Sequence, residues 1–189
     1  MNYMTKFILH GGYTSDPNSL NAQFFSEITK DIPNDSMVLL VYFSRSKEEY
    51  ERLFEQDKTA LMKSCEEKKL NYVLASEDNF TEQLKGASAI YMRGGETQQL
   101  LDTLKKYPNF SEEILGKTVA GSSAGAYVLS KWFYSNSADD IFEGLAILPV
   151  KVIAHYNGKE EIIRRLKEKQ PQNMEIIILK DFESKVIKQ

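Results

Sequence analysis

Cysteine, histidine and tryptophan are scarce in this chain: one Cys, two His and one Trp among 189 residues. The single thiol, Cys65, has no internal partner for a disulfide, and too few soft ligands surround it in the sequence to build a structural zinc site. A reducing, cytoplasmic setting is expected. An excess of basic charge is also missing, since 24 Lys and Arg stand against 27 Asp and Glu for a net charge of −3. No field exists to collect phosphate backbones or an anionic bilayer, so neither nucleic acid nor membrane is expected as a partner. No apolar run approaches the roughly 20 residues of a spanning helix, and the stretch Met1 to His10 is too short in apolar residues for a signal peptide.

What is present suits one ordinary globular domain over residues 1–189: 42% hydrophobic and 27% charged residues, with ten Phe and ten Tyr. Short apolar runs alternate with amphipathic stretches, the pattern of a parallel α/β sheet with crossover helices. Strands are expected at Phe7–Leu9, Met37–Phe43, Tyr72–Leu74, Ala89–Met92, Thr118–Ala120 and Leu148–Ala154. Helices are expected over Asp16–Lys30, within Ser46–Lys69 and over Lys159–Lys169. Glu175–Leu179 and Lys185–Ile187, flanking Asp181 to Ser184, read as a closing β-hairpin.

Gly121-Ser122-Ser123-Ala124-Gly125 matches G-x-S-x-G between a strand and an apolar stretch able to start a helix. Such a turn projects the central hydroxyl from the sheet edge, beside a helix N-terminus whose free amides favour an oxyanion. The plainer reading is close packing of small residues with a capping serine. A nucleophilic serine needs a base, and both histidines, His10 and His155, fall at expected carboxyl ends of strands, where open α/β sheets build their sites. His155 follows the elbow and precedes a Gly-containing loop. Asp139 and Asp140 lie between, giving the order Ser, Asp, His, although His155 comes too soon after the elbow for an ordinary α/β-hydrolase. Arg93 is a candidate for a substrate carboxylate or for an ion pair with an acid. Trp132-Phe133-Tyr134 reads as core or pocket wall. No G-x-G-x-x-G or phosphate-binding loop occurs, so no nucleotide is implied.

Three segments together resemble the dipeptidase E family of serine peptidases, which includes cyanophycinase. They are Gly121 to Ala126, Ala89-Ile90-Tyr91-Met92-Arg93-Gly94-Gly95-Glu96-Thr97 with the following Leu100-Leu101, and Leu148 to Asn157 with its His155-Tyr156. The resemblance implies a class I glutamine amidotransferase-like (flavodoxin-like) fold, a three-layer α/β sandwich with a mostly parallel central sheet, carrying serine in place of cysteine. It implies hydrolysis of small peptides through an acyl-enzyme on Ser123, without metal or cofactor, and a monomer or homodimer is expected. His155 would be the general base, Asp139 or Asp140 its orienting carboxylate, and the amides of Gly95 and Ala124 the oxyanion donors. Glu96 replaces the family's Asn, as a holder of a substrate amino group or a helix cap. The family's Asp-binding arginine aligns with Ile162, followed by Arg164 and Arg165, so strict preference for an N-terminal Asp is not implied. An esterase or amidase using the same elbow, and a non-catalytic binding domain of the same fold, are the alternatives.

Overall fold

The computed structural model describes residues 4–65 and 67–189, so Met1 to Tyr3 and Glu66 lie outside the described residues. Among the described residues ten strands form two sheets. The six-stranded sheet runs β10 (Ser184–Lys188), β1 (Lys6–His10), β5 (Thr118–Ser122), β4 (Ala87–Met92), β2 (Met37–Val41), β3 (Asn71–Leu74); only β10 is antiparallel to its neighbour. The four-stranded sheet runs β7 (Asp140–Glu143), β6 (Ser130–Ser135), β8 (Leu148–Ile153), β9 (Glu175–Ile178), with β6, β8 and β9 parallel.

Successive residues of a strand face opposite sides, and the central strands here are apolar on both, as burial under two helical layers demands. On one face Ile8, Val38, Leu40, Tyr91 and Ala120 pack with Phe24, Phe25 and Ile28 of α1 (Ser19–Thr29) and Leu53 and Leu61 of α2 (Tyr50–Lys63). On the other, Phe7, Leu39, Ile90 and Val119 meet Phe80 and Leu84 of α3 (Phe80–Gly86), α4 (Thr97–Leu104), the short α5 (Phe110–Glu113) and α6 (Ala124–Leu129). All six residues of α6 are buried, and it packs against strands of both sheets. A last helix, α7 (Glu160–Glu168), covers the second sheet through Ile162 and Leu166. Among the described residues no helix is long and apolar enough to cross a membrane.

Each expected strand outside the tail is present, with ends moved by a residue or two. Helix α1 starts later than Asp16 because Asn18, not Pro17, opens it, accepting from the Leu20 N–H at 2.8 Å. One strand lies where none was expected, in a segment whose Phe133 and Tyr134 are core, and one expectation is corrected. The Trp132–Tyr134 segment is strand β6, paired with β7 around a turn in which Asp139 takes a positive φ of 50°. The tail is not a hairpin: β9 pairs with β8 in the second sheet, β10 pairs with β1 in the first, and residues 180–183 cross between them. The crossing is stitched to the loop after β1, Gly11 N–H donating to the Glu183 carbonyl at 2.8 Å and Phe182 N–H to the Gly12 carbonyl at 3.3 Å. A tail that reads as two apolar strands with a polar turn thus serves two sheets, because each strand finds an open edge nearer than its neighbour in sequence.

Leu39, fully buried on a central strand, tests the layering. Leu39→Ala is expected to lower unfolding free energy by about 2–5 kcal/mol, and Ile178→Ala on the exposed edge of β9 by under about 1 kcal/mol, in urea titrations. Equal losses would contradict the assigned core.

Candidate active site

Strand β5 ends at Ser122 and α6 begins at Ala124, leaving Ser123 alone to turn the chain. It does so at φ 49°, ψ −105°, a strained conformation for a residue with a side chain. The turn closes only because its flanks are bare: a Cβ on Gly121 would lie 2.3 Å from the Gly125 carbonyl carbon, and one on Gly125 2.2 Å from the Met92 carbonyl oxygen. The Ser123 N–H donates to the His10 carbonyl at 2.9 Å and its carbonyl accepts from the Tyr127 N–H at 2.9 Å, so the elbow is held from both sides. Ala124 opens the helix, so its N–H has no intrahelical acceptor.

His155 follows β8 and also has a positive φ, 54°. Its N–H donates to the Gly11 carbonyl at 3.1 Å, and the next residue, Tyr156, donates to the Leu179 carbonyl at 3.0 Å. Gly12, at φ 123°, lies against the imidazole so closely that a Cβ would sit 2.0 Å from Cε1. The Tyr127 hydroxyl, reaching from α6, meets the Ala154 backbone at 3.2 Å just before the histidine. These contacts bring His155 Nε2 to 3.0 Å from Ser123 Oγ. On the other side of the ring, Nδ1 lies 2.7 Å from Asp181 Oδ1. Asp181 sits in the crossing between β9 and β10, where the Glu183 carboxylate accepts the Lys180 N–H at 2.9 Å and closes the turn. Tyr13, more than half exposed, sets its ring edge-on to the imidazole, centroids 5.2 Å apart.

The carboxylate at His155 is therefore Asp181, not Asp139 or Asp140. Asp139 accepts the Tyr134 hydroxyl and, with Asp140, pairs with Arg165 on the exposed side of the second sheet. The Tyr134 hydroxyl, and behind it Arg165, holds the Asp139 carboxyl below its usual range. Asp139 is a hairpin-turn residue in a conformation Asp tolerates well. The signal for Asp181 is the one that singled out both histidines, a polar residue just past an apolar strand, and the hairpin reading hid it.

A cavity of about 350 Å³ opens at Ser123 and His155, walled by Tyr13, Ser15, Arg45, Gly94 and Gly95 among others. Gly95 is part of its wall. Glu96 does not: it is exposed, outside that wall, and its side chain makes no cap bond to α4. Arg93 reaches the cavity, but its guanidinium is buried between the Asp57 carboxylate and the Ser15 hydroxyl. Its charge is met by a buried acid, Asp57. Ile162 is buried in the apolar cluster under α7, and Arg164 pairs with Glu161. Among the described residues no three His, Cys, Asp or Glu side chains are grouped to hold a metal.

His10, the other histidine, is fully buried and supports the loop. Its Nδ1 accepts the Gly12 N–H at 3.0 Å, so Nε2 carries the proton and donates to Asn21 Oδ1 at 3.0 Å. Burial lowers its pKa from 6.5 to about 4, against the raising effect of the Asn21 bond.

A strained serine at the carboxyl end of a parallel sheet, in line with an imidazole and a carboxylate, defines a serine hydrolase on an α/β scaffold. The model of peptidase family S51 matches residues 7–187. The chain belongs to that family, the dipeptidase E family, and is a serine-type peptidase. Solved structures agree on the flavodoxin-like fold. A peptidase from an acI-B1 Actinobacterium superposes with a TM-score of 0.69 at 24% identity, over 98% of this chain and 84% of that one. A peptidase E protein from Listeria monocytogenes superposes at 0.67 and 20% identity, over 98% of both. No curated protein matches the sequence.

The buried His10 predicts a pH dependence of stability. Folding favours its neutral form, so its contribution is complete above pH 6.5 and is lost as pH falls from 6.5 towards 4. Relative to His10→Gln, the wild type is expected to lose on the order of 3 kcal/mol across that window in denaturant titrations. A difference that stays flat with pH would contradict the buried neutral imidazole.

Proposed function

We infer that this peptidase cleaves small peptides through an acyl-enzyme on Ser123, and the observation that carries the reading is the unbroken Ser123–His155–Asp181 relay. Asp181 accepts the Nδ1 proton of His155, which leaves the Nε2 lone pair facing the hydroxyl. As Ser123 Oγ attacks the scissile carbonyl, Nε2 takes its proton, and Asp181 stabilises the imidazolium that results. The carbonyl oxygen becomes an oxyanion, received by the N–H groups of Gly95 and Ala124. Collapse breaks the C–N bond, and His155 returns its proton to the departing amine. Water then repeats the sequence, giving its proton to His155, attacking the ester carbonyl and freeing Ser123.

The size of the cavity, at the lower end of the usual range for ligand sites, supports short substrates. All three relay residues come from one chain, so a monomer or a homodimer would be equally competent. With Ile162 buried where an Asp-binding arginine would stand, the preference is not confined to an N-terminal Asp. The free, half-buried Cys65 fits a cytoplasmic location.

Hydrolysis of a mixed dipeptide and tripeptide library, followed by mass spectrometry, tests the reading. Ser123→Ala is expected to lower kcat by several orders of magnitude, and Asp181→Asn by on the order of 10³–10⁴. Asp139→Asn and Asp140→Asn are expected to remain within about threefold of wild type. Full activity in Asp181→Asn, or loss in Asp139→Asn, would move the third member of the relay back to the β6–β7 turn.

A further inference from the structure

The Gly94–Gly95 peptide lies beside the nucleophile: a Cβ on Gly94 would sit 3.1 Å from the Ser123 Cβ. The backbone on both sides of it is tied to the segment that follows β2. Ser44 Oγ donates to the Arg93 carbonyl at 2.8 Å, and the Glu96 N–H donates to the Ser44 carbonyl at 2.8 Å. Between those anchors one side chain holds the intervening peptide: Arg45 Nε–H donates to the Gly94 carbonyl at 2.7 Å. Arg45 is itself well fixed. Its N–H donates to the Tyr42 carbonyl at 2.8 Å, and its carbonyl accepts from the Gln99 side chain of α4 at 3.1 Å. Only the far end of the guanidinium is loosely placed, 4.0 Å from Glu49.

In a planar trans peptide the carbonyl and the N–H point in opposite directions, so fixing the Gly94 oxygen fixes the Gly95 hydrogen. Glycine on both sides makes rotation of that plane cheap, since neither residue has a Cβ to oppose it. A rotated plane would aim a carbonyl oxygen at the place where negative charge develops. Among the described residues the Gly95 N–H has no protein acceptor, which leaves it available to a ligand. We propose that Arg45 is a positioning residue that locks the Gly94–Gly95 peptide with its N–H turned to the oxyanion, acting through the Gly94 carbonyl rather than on the substrate. This inference rests on the reading of Ser123 as the nucleophile and Gly95 as an oxyanion donor.

Two readouts decide it, each on the intact protein. One is kcat and KM on a cleaved dipeptide. The other is the rate of Ser123 labelling by a fluorophosphonate, in which an Oγ–P bond forms, fluoride leaves, the proton passes to His155 and the phosphoryl oxygen occupies the oxyanion site. Arg45→Met is expected to lower kcat and the labelling rate together by about 10–100-fold, with KM within about threefold of wild type. Arg45→Lys keeps the charge but not the fixed N–H, so it is expected to recover little; it also decides the matter if Arg45→Met does not fold, as melting temperatures will show. Glu49→Gln is expected to match wild type in both readouts. Near-wild-type labelling in Arg45→Met, or a rise confined to KM that Arg45→Lys reverses, would overturn the proposal and make Arg45 dispensable or a simple charge for substrate. If wild-type Ser123 labels but no peptide is cleaved, the small-peptide reading fails while the labelling comparison still judges Arg45. If wild-type Ser123 neither labels nor supports cleavage, both fall.

Discussion

The 2.7 Å contact between His155 and Asp181 is the point on which the site depends, because it ties the histidine at the end of the second sheet to the stretch of tail that crosses to the first. Ser123 stands on the first sheet and His155 on the second, while Asp181 lies in the only stretch of the tail that passes from one to the other. A hydrogen bond of this kind fixes both the tautomer and the ring orientation of the histidine, so the nitrogen that faces the serine is set by a residue the serine never touches. The loop after β1 completes the join. Gly11 and Gly12 bind the tail on one side and the histidine on the other, and His10 beneath them holds the loop by its own imidazole.

The elbow was legible in the sequence because its demands are local. A strand, two bare glycines around a serine and an apolar start to a helix can be read in a line, and the residues that bring His155 to a strand end are equally contiguous. Asp181 was not legible, since nothing within a few residues of it says which sheet edge β9 and β10 will choose. The pairing depends on open edges created by β8 and β1, far away in the chain. Asp139 drew attention by lying in order between serine and histidine, yet its own neighbours make it a turn residue. Strand β6 was hidden in the same way: its aromatic residues are consistent with either core or pocket until β7 and β8 are in place beside it.

A second polar cluster is buried near the cavity. Arg93 and Asp57 are almost without solvent contact, and Tyr42 and Ser15 complete their hydrogen bonds. A pair of this kind contributes little net stability compared with a well-packed apolar pair, but loss of one partner strands the other charge in the interior. Its value to the site is geometric. Arg93 precedes the two glycines of the cavity wall, so the ion pair anchors α2 to the backbone from which that wall is made.

Helix α6 begins directly after Ser123 and is enclosed on every side, without a charged residue in its length. Its Tyr127 hydroxyl grips the strand end that carries His155. A segment buried in this way opens only when the whole domain does, so its amide hydrogens belong with the slowest of the molecule to exchange with solvent, a ranking that exchange measurements can check. The serine adjoins this buried helix directly, and the strand end that carries the imidazole is tied to it through Tyr127. Tyr13, by contrast, stands exposed at the rim of the cavity, outside that buried frame.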